Sequence, residues 1–218
     1  MGKITANKKN PDLQQREIRS NNLKVEVRAV GENEGEGQKK IVGYAVKWGQ
    51  RSLPIWNWFQ EEFRKGAFAN FLKRADADVI ASWQHKFEEI IGRTTAGTLL
   101  VEEDDIGLRY EITPPSWAGR YIETIERGDV TGSSFIFKTI RSEWDESNPD
   151  MDIRTIIEAE LIEVAPVTHP AYPQSEAEVE SARSVYEAHK QELEAIKREK
   201  EAWKIPILQK KLDILSKI

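Results

Sequence analysis

Three residues of this chain carry side chains that can break an acyl bond together: His85, Ser134 and Glu163. A serine hydroxyl is hardly ionised at neutral pH, so it attacks a carbonyl only when a base takes its proton. Histidine is such a base. A carboxylate on the other ring nitrogen fixes the tautomer and stabilises the imidazolium. The chain order here is His, Ser, Glu. Residue type alone carries little, because a lone serine is usually a small packed residue and a lone histidine a core or rim residue. What matters is where each one stands.

Ser134 stands at the start of a strand. Asp129 and Gly132 supply turn chemistry, and Phe135-Ile136-Phe137-Lys138-Thr139-Ile140 is β-branched and aromatic. Alternation puts Ser134, Ile136 and Lys138 on one face, with Phe135, Phe137 and Thr139 on the other. Ser133 lies beside Ser134 on the opposite face and is a second candidate nucleophile. Glu163 interrupts the apolar face Ile157/Ala159/Leu161/Ala165/Val167 of another strand. A buried carboxylate needs a partner or it neutralises, so Glu163 calls for a histidine, backbone N–H groups, or an arginine such as Arg93, Arg109 or Arg154. His85 ends the face Val79/Ala81/Trp83. Periodicity gives each residue a face; it does not bring the three together.

Composition narrows the remaining chemistry. The 218 residues suffice for one sizeable domain with appendages. There is no cysteine, which excludes disulfides, thiolate catalysis and cysteine-ligated metals. The net charge is −5 without a basic block, so nucleic acid is not an expected partner. No apolar run reaches membrane-spanning length, and the first twenty residues lack an apolar signal core; a cytoplasmic protein without membrane partner is the expectation. No cofactor is implied. A metal hydrolase using His85, His169 and Glu163 is a third reading, against which the histidines show no local ligand spacing.

The elements follow from the patterning. Residues 1–22 read as a flexible arm. Residues 23–174 are strand-dominated, with short helices near residues 66–72 and 117–127, and Gly128 stopping the second. Residues 175–218 read as a helical tail, broken at Pro206 and followed by a short amphipathic helix. The class is α+β, with an antiparallel barrel or closely related sheet as the body.

The body also resembles the prohead serine proteases of tailed bacteriophages. The resemblance rests on an ordered run: Gly43-Tyr44-Ala45, Phe63-Arg64-Lys65-Gly66-Ala67-Phe68, Trp83-Gln84-His85, Gly92-Arg93-Thr94 and Gly97-Thr98-Leu99, then Asp105-Ile106-Gly107-Leu108, the run from Arg127 to Phe135, Glu163-Val164-Ala165-Pro166-Val167 and Pro170-Ala171-Tyr172-Pro173. It covers most of residues 41–174 and neither the arm nor the tail. It implies a fold like the herpesvirus assemblins, an antiparallel β-barrel flanked by helices. It implies a serine endopeptidase that cleaves capsid or scaffold protein, with the chain itself as a further candidate substrate, within the assembling procapsid in the host cytoplasm. On that pattern His85 is the base, Ser134 the nucleophile and Glu163 the third member. His169 is the alternative third member, since it shares the Glu163 face and assemblin relatives use a second histidine. Two positions depart from the family: Ala165 stands where serine is usual, and Ile136 where a small residue is usual. A homodimer is an expectation from the assemblins. The competing class is a catalytically silent assembly or scaffolding protein that binds through its tail.

Overall fold

The computed structural model describes residues 16–30, 38–148, 150–168 and 176–215. Its larger sheet is organised on two long antiparallel strands, β9 (Gly132–Asp145) and β10 (Asp152–Val167). Both are rich in β-branched and aromatic residues on both faces, and both are covered on both faces. On the far side of β9 lies β1 (Arg16–Asn21), antiparallel. Along the other edge of β10 run β4 (Phe59–Phe63) and β5 (Ile80–Trp83), both parallel to it, and β6 (Lys86–Arg93) pairs with β5. The smaller sheet is antiparallel: β2 (Glu26–Val30), β3 (Gln38–Lys47), β8 (Gly107–Ile112) and β7 (Leu99–Glu103).

One apolar core serves both sheets. Phe63, Phe68, Phe135 and Phe137 pack ring on ring, with Ile41, Ala45 and Leu108 of the smaller sheet in the same cluster. Two short helices, α1 (Ala69–Leu72) and α2 (Gly119–Glu126), border it. Gly128, at φ 83°, ends the turn after α2 as its sequence position suggests. Gly43 faces Tyr110, and a Cβ there would lie 2.5 Å from the phenol oxygen, so only glycine lets that ring lie across the strand.

The α+β reading holds: mostly strands with a few helices. The ladders among the described residues form two open sheets, and no closed barrel is detected. Nor is the larger sheet purely antiparallel, because the long connections from β4 and β5 to β10 permit crossover, parallel pairing. Two local expectations are corrected. Residues 16–21 are not a flexible arm but a paired strand; their charged sequence hid it, because the charges are matched in tertiary contact rather than by water. The tail helix α3 (Glu176–Leu215) runs through Pro206 instead of breaking there. An interior proline costs about 3 kcal/mol, which the strong helix formers on both sides outweigh.

The chain divides into two compact units, residues 1–182 and 183–218. In the second, Glu194 and Arg198 form an i,i+4 ion pair at 3.3 Å, and Trp203 is exposed.

Candidate active site

Ser134 is the third residue of β9. In register it faces Ala165 of β10 on one side and Ser20 of β1 on the other. Its Oγ lies 2.6 Å from His85 Nε2. His85 Nδ1 in turn lies 3.3 Å from Glu163 Oε1. The three residues that alternation could only place on separate faces therefore meet.

Ser134 stands in regular register, while Glu163 and His85 are each delivered by a local irregularity. Strict alternation puts Glu163 on the face of Leu161. In the ladder, however, Leu161 faces Phe137 while Glu163 faces Ile136, with a register shift between them. Phe137 and Ile136 lie on opposite faces of β9, so the bulge at Ile162 turns Glu163 from the core face to the Ser134 face. His85 is not the last residue of a strand face. It is the second central residue of a two-residue turn joining β5 to β6, where Trp83 pairs with Lys86. Gln84 and His85 have φ of 55° and 60°. That is the primed geometry hairpins favour, usually built with Asn-Gly. Non-glycine residues in the left-handed region cost on the order of 1 kcal/mol or more each.

Hydrogen bonds hold this turn down. The Gln84 N–H donates to the Pro166 carbonyl at 3.2 Å, its side-chain amide donates to Thr168 Oγ1, and its side-chain oxygen accepts from the Thr168 N–H at 3.2 Å. The strained turn is thus tied to the end of β10, the strand that carries Glu163.

Glu163 and Ser134 are fully buried, while the His85 side chain is about a quarter exposed. Ser82 donates to Glu163 Oε1. Among the described residues Glu163 Oε2 and His85 Nδ1 have no hydrogen-bond partner, so the Nδ1···Oε1 approach is close without being aligned as a hydrogen bond. A buried carboxylate so thinly satisfied is costly, and a rotation of the imidazole that aligns Nδ1 with Oε1 would lower that cost. Apo catalytic contacts are often loose in this way and tighten around substrate.

The other candidates lie elsewhere. Ser133 points to the opposite face, 3.1 Å from the Tyr110 hydroxyl, whose ionisation burial pushes above its ordinary range. Arg93 pairs with Asp78, Arg109 with Glu102 and Glu111, and Arg154 with Glu17 and Glu61, so none serves Glu163. His169 lies outside the described residues.

A family model described as caudovirus prohead serine protease matches residues 23–192. The chain belongs to that family. No curated protein and no solved structure matches it. The prohead-protease match extends beyond the run of motifs on both sides, through β2 and into α3 as far as residue 192, and it begins just after β1.

Sequence reasoning missed three contributors. Ser82 and Thr168 are ordinary small polar residues with no pattern to mark them. Gln84 stood within the Trp83-Gln84-His85 motif, but only the turn reveals its anchoring role. The fourth omission is β1 itself. Ser134 Oγ donates to the Arg19 carbonyl at 3.0 Å, and Ser20 Oγ donates to Ser134 Oγ at 3.0 Å.

Proposed function

We propose that this chain is a serine endopeptidase of procapsid maturation, cleaving capsid or scaffold protein within the assembling shell by a Ser-His-Glu acyl-enzyme mechanism. The observation that carries the reading is the contact of His85 Nε2 with Ser134 Oγ at 2.6 Å, with Glu163 at the other ring nitrogen. His85 takes the Ser134 proton as Oγ attacks the peptide carbonyl. The tetrahedral adduct collapses, His85 gives the proton to the leaving amine, and an acyl-enzyme remains. Water then repeats the sequence and releases the acid. Glu163 keeps the Nδ1 proton on the imidazole, so that Nε2 is free to accept. The barrel implied by the assemblins belongs to this reading too; its support is the single core shared by strands of both sheets.

One observation favours the silent-scaffold reading: Ser134 is fully buried beneath the chain's own first strand. Co-expression with the capsid protein decides between them. Processing with the intact chain and none with Ser134→Ala is the expected result. Processing that survives Ser134→Ala overturns the nucleophile, and processing abolished by chelators moves the chemistry to a metal. A chain that never processes capsid protein, even in assembled shells, leaves the scaffold reading.

A further inference from the structure

A buried nucleophile hydrogen-bonded to the chain's own backbone is out of reach of any substrate. What covers it on the free side of β9 is β1, paired residue for residue from Arg16↔Lys138 to Asn21↔Ser133. This strand brings a carbonyl, that of Arg19, to 3.0 Å from Ser134 Oγ. Strand addition at a sheet edge is how extended peptides bind many proteins, with main-chain hydrogen bonds giving affinity and alternate side chains giving specificity. The matched family region begins after this strand, at residue 23.

The alternate side chains of β1 enter a built site. Arg19 makes a bidentate contact with Glu61, at 2.8 and 3.1 Å, and Glu17 makes one with Arg154, at 2.5 and 3.0 Å. Arg154 and Glu61 are buried and also bond each other at 2.8 Å. Within this cluster the charges from β1, Glu17 and Arg19, and those of the body, Glu61 and Arg154, are separately balanced. Withdrawing Glu17 and Arg19 together removes one negative and one positive group and leaves Glu61 paired with Arg154. No lone buried charge remains, so the strand can leave without the penalty that normally locks a buried ion pair. Beside β1 lies a cavity of about 340 Å³, walled opposite by residues 50–55, into which the strand can loosen.

We propose that β1 occupies the seat of the substrate strand, and that Glu61 and Arg154 are the residues that read it. The partner is an extended peptide with a basic side chain at the place of Arg19, the residue whose carbonyl meets Ser134, and an acidic one two positions before it, at the place of Glu17. The inference rests on the serine reading only for what happens after the peptide is seated.

The test uses the full chain in three forms: unaltered, with a loosened β1 (Glu17→Gln with Arg19→Gln), and with a locked β1 (Arg16→Cys with Lys138→Cys, facing residues in a chain that has no other cysteine). In a Ser134→Ala background, a labelled hexapeptide of the sequence Arg-Glu-Ile-Arg-Ser-Asn binds the loosened form at least about tenfold tighter than the unaltered chain, because the tethered competitor is weakened. The oxidised locked form binds it at least about tenfold more weakly than the same protein reduced. Peptides with glutamine at the Glu or the Arg position lose that affinity. With Ser134 intact, a fluorophosphonate labels Ser134 in the same order. A locked form that binds and labels alike in both redox states overturns the proposal, as do glutamine peptides that bind as well as the parent. The locked form keeps every buried charge, so it serves even if the loosened form does not fold. Peptide binding in the expected order without labelling of Ser134 in any form supports the seat and sinks the acyl-transfer reading.

Discussion

The cluster around Arg154 and the cluster around Ser134 share β9 and β10, and both are buried and polar. In the first, two arginines and two glutamates meet with Thr139; all four carboxylate oxygens are engaged and, among the described residues, Arg154 Nε is left unmatched. Burial pushes the Glu17 carboxyl up, and the Arg154 and Arg19 guanidiniums together pull it below its ordinary 4.5. In the second, one carboxylate faces one imidazole and one hydroxyl, and two of its buried polar atoms are unmatched. Native proteins leave few such atoms, and those they leave mark strain or chemistry. A network whose buried carboxylates are all matched is what holding a strand needs. An unsatisfied one can strengthen when charge develops on His85, which is what catalysis needs.

The comparison can be broken most sharply at Glu163. Glu163→Gln keeps an acceptor for Ser82 but can offer an N–H to His85 Nδ1, which drives the ring proton to Nε2. We expect kcat to fall by about 10⁴ with little change in urea stability. A stability loss without an activity loss would make Glu163 structural. The mirror experiment is Arg154→Ala. It leaves Glu17 and Glu61 sharing Arg19 alone, and unfolding free energy should drop by about 3–5 kcal/mol in urea titration. A loss below about 1 kcal/mol would mean that water already solvates the cluster.

Acid sharpens the same contrast at smaller cost. The folded-state pKa of Glu17 lies below its unfolded value, so its contribution to stability is present above 4.5 and is lost as pH falls through the lower folded value. Hydrogen exchange across pH 3–6 should show β1 amides losing protection at the acid end before those of β10, and Glu17→Gln should flatten that dependence. The smallest expected effect is at Gln84. Gln84→Asn suits the turn geometry, but its shorter amide falls short of Thr168. We expect kcat to fall about tenfold or less, at about 1.4 kcal/mol per decade, with stability within about 0.5 kcal/mol. A loss as large as that of Glu163→Gln would mean that the anchoring of the turn matters to the reaction as much as the carboxylate does.

Much of the fold was legible because its strands are strongly periodic. α2 with its glycine stop and the long strands of Ser134 and Glu163 all lie where patterning put them. β1 was not legible. Arg-Glu-Ile-Arg-Ser-Asn reads as a polar tail unless its charges have buried partners, and those partners, Glu61 and Arg154, lie 42 and 137 residues away from Arg19 and Glu17. The parallel placement of β4 and β5 was hidden for the same reason: alternation describes a strand's faces but not its neighbours.

For the site, sequence determined the three residue types, their order and the oddity of a carboxylate on an apolar strand. Those follow from chemistry and burial, which act residue by residue. Their meeting was decided only in three dimensions. A bulge at Ile162 turned Glu163 to the opposite face, a left-handed turn brought His85 over Ser134, and a strand from outside the matched region closed the hydroxyl off. A bulge, a turn and an added edge strand are set by long-range pairing energy, and no local pattern encodes that.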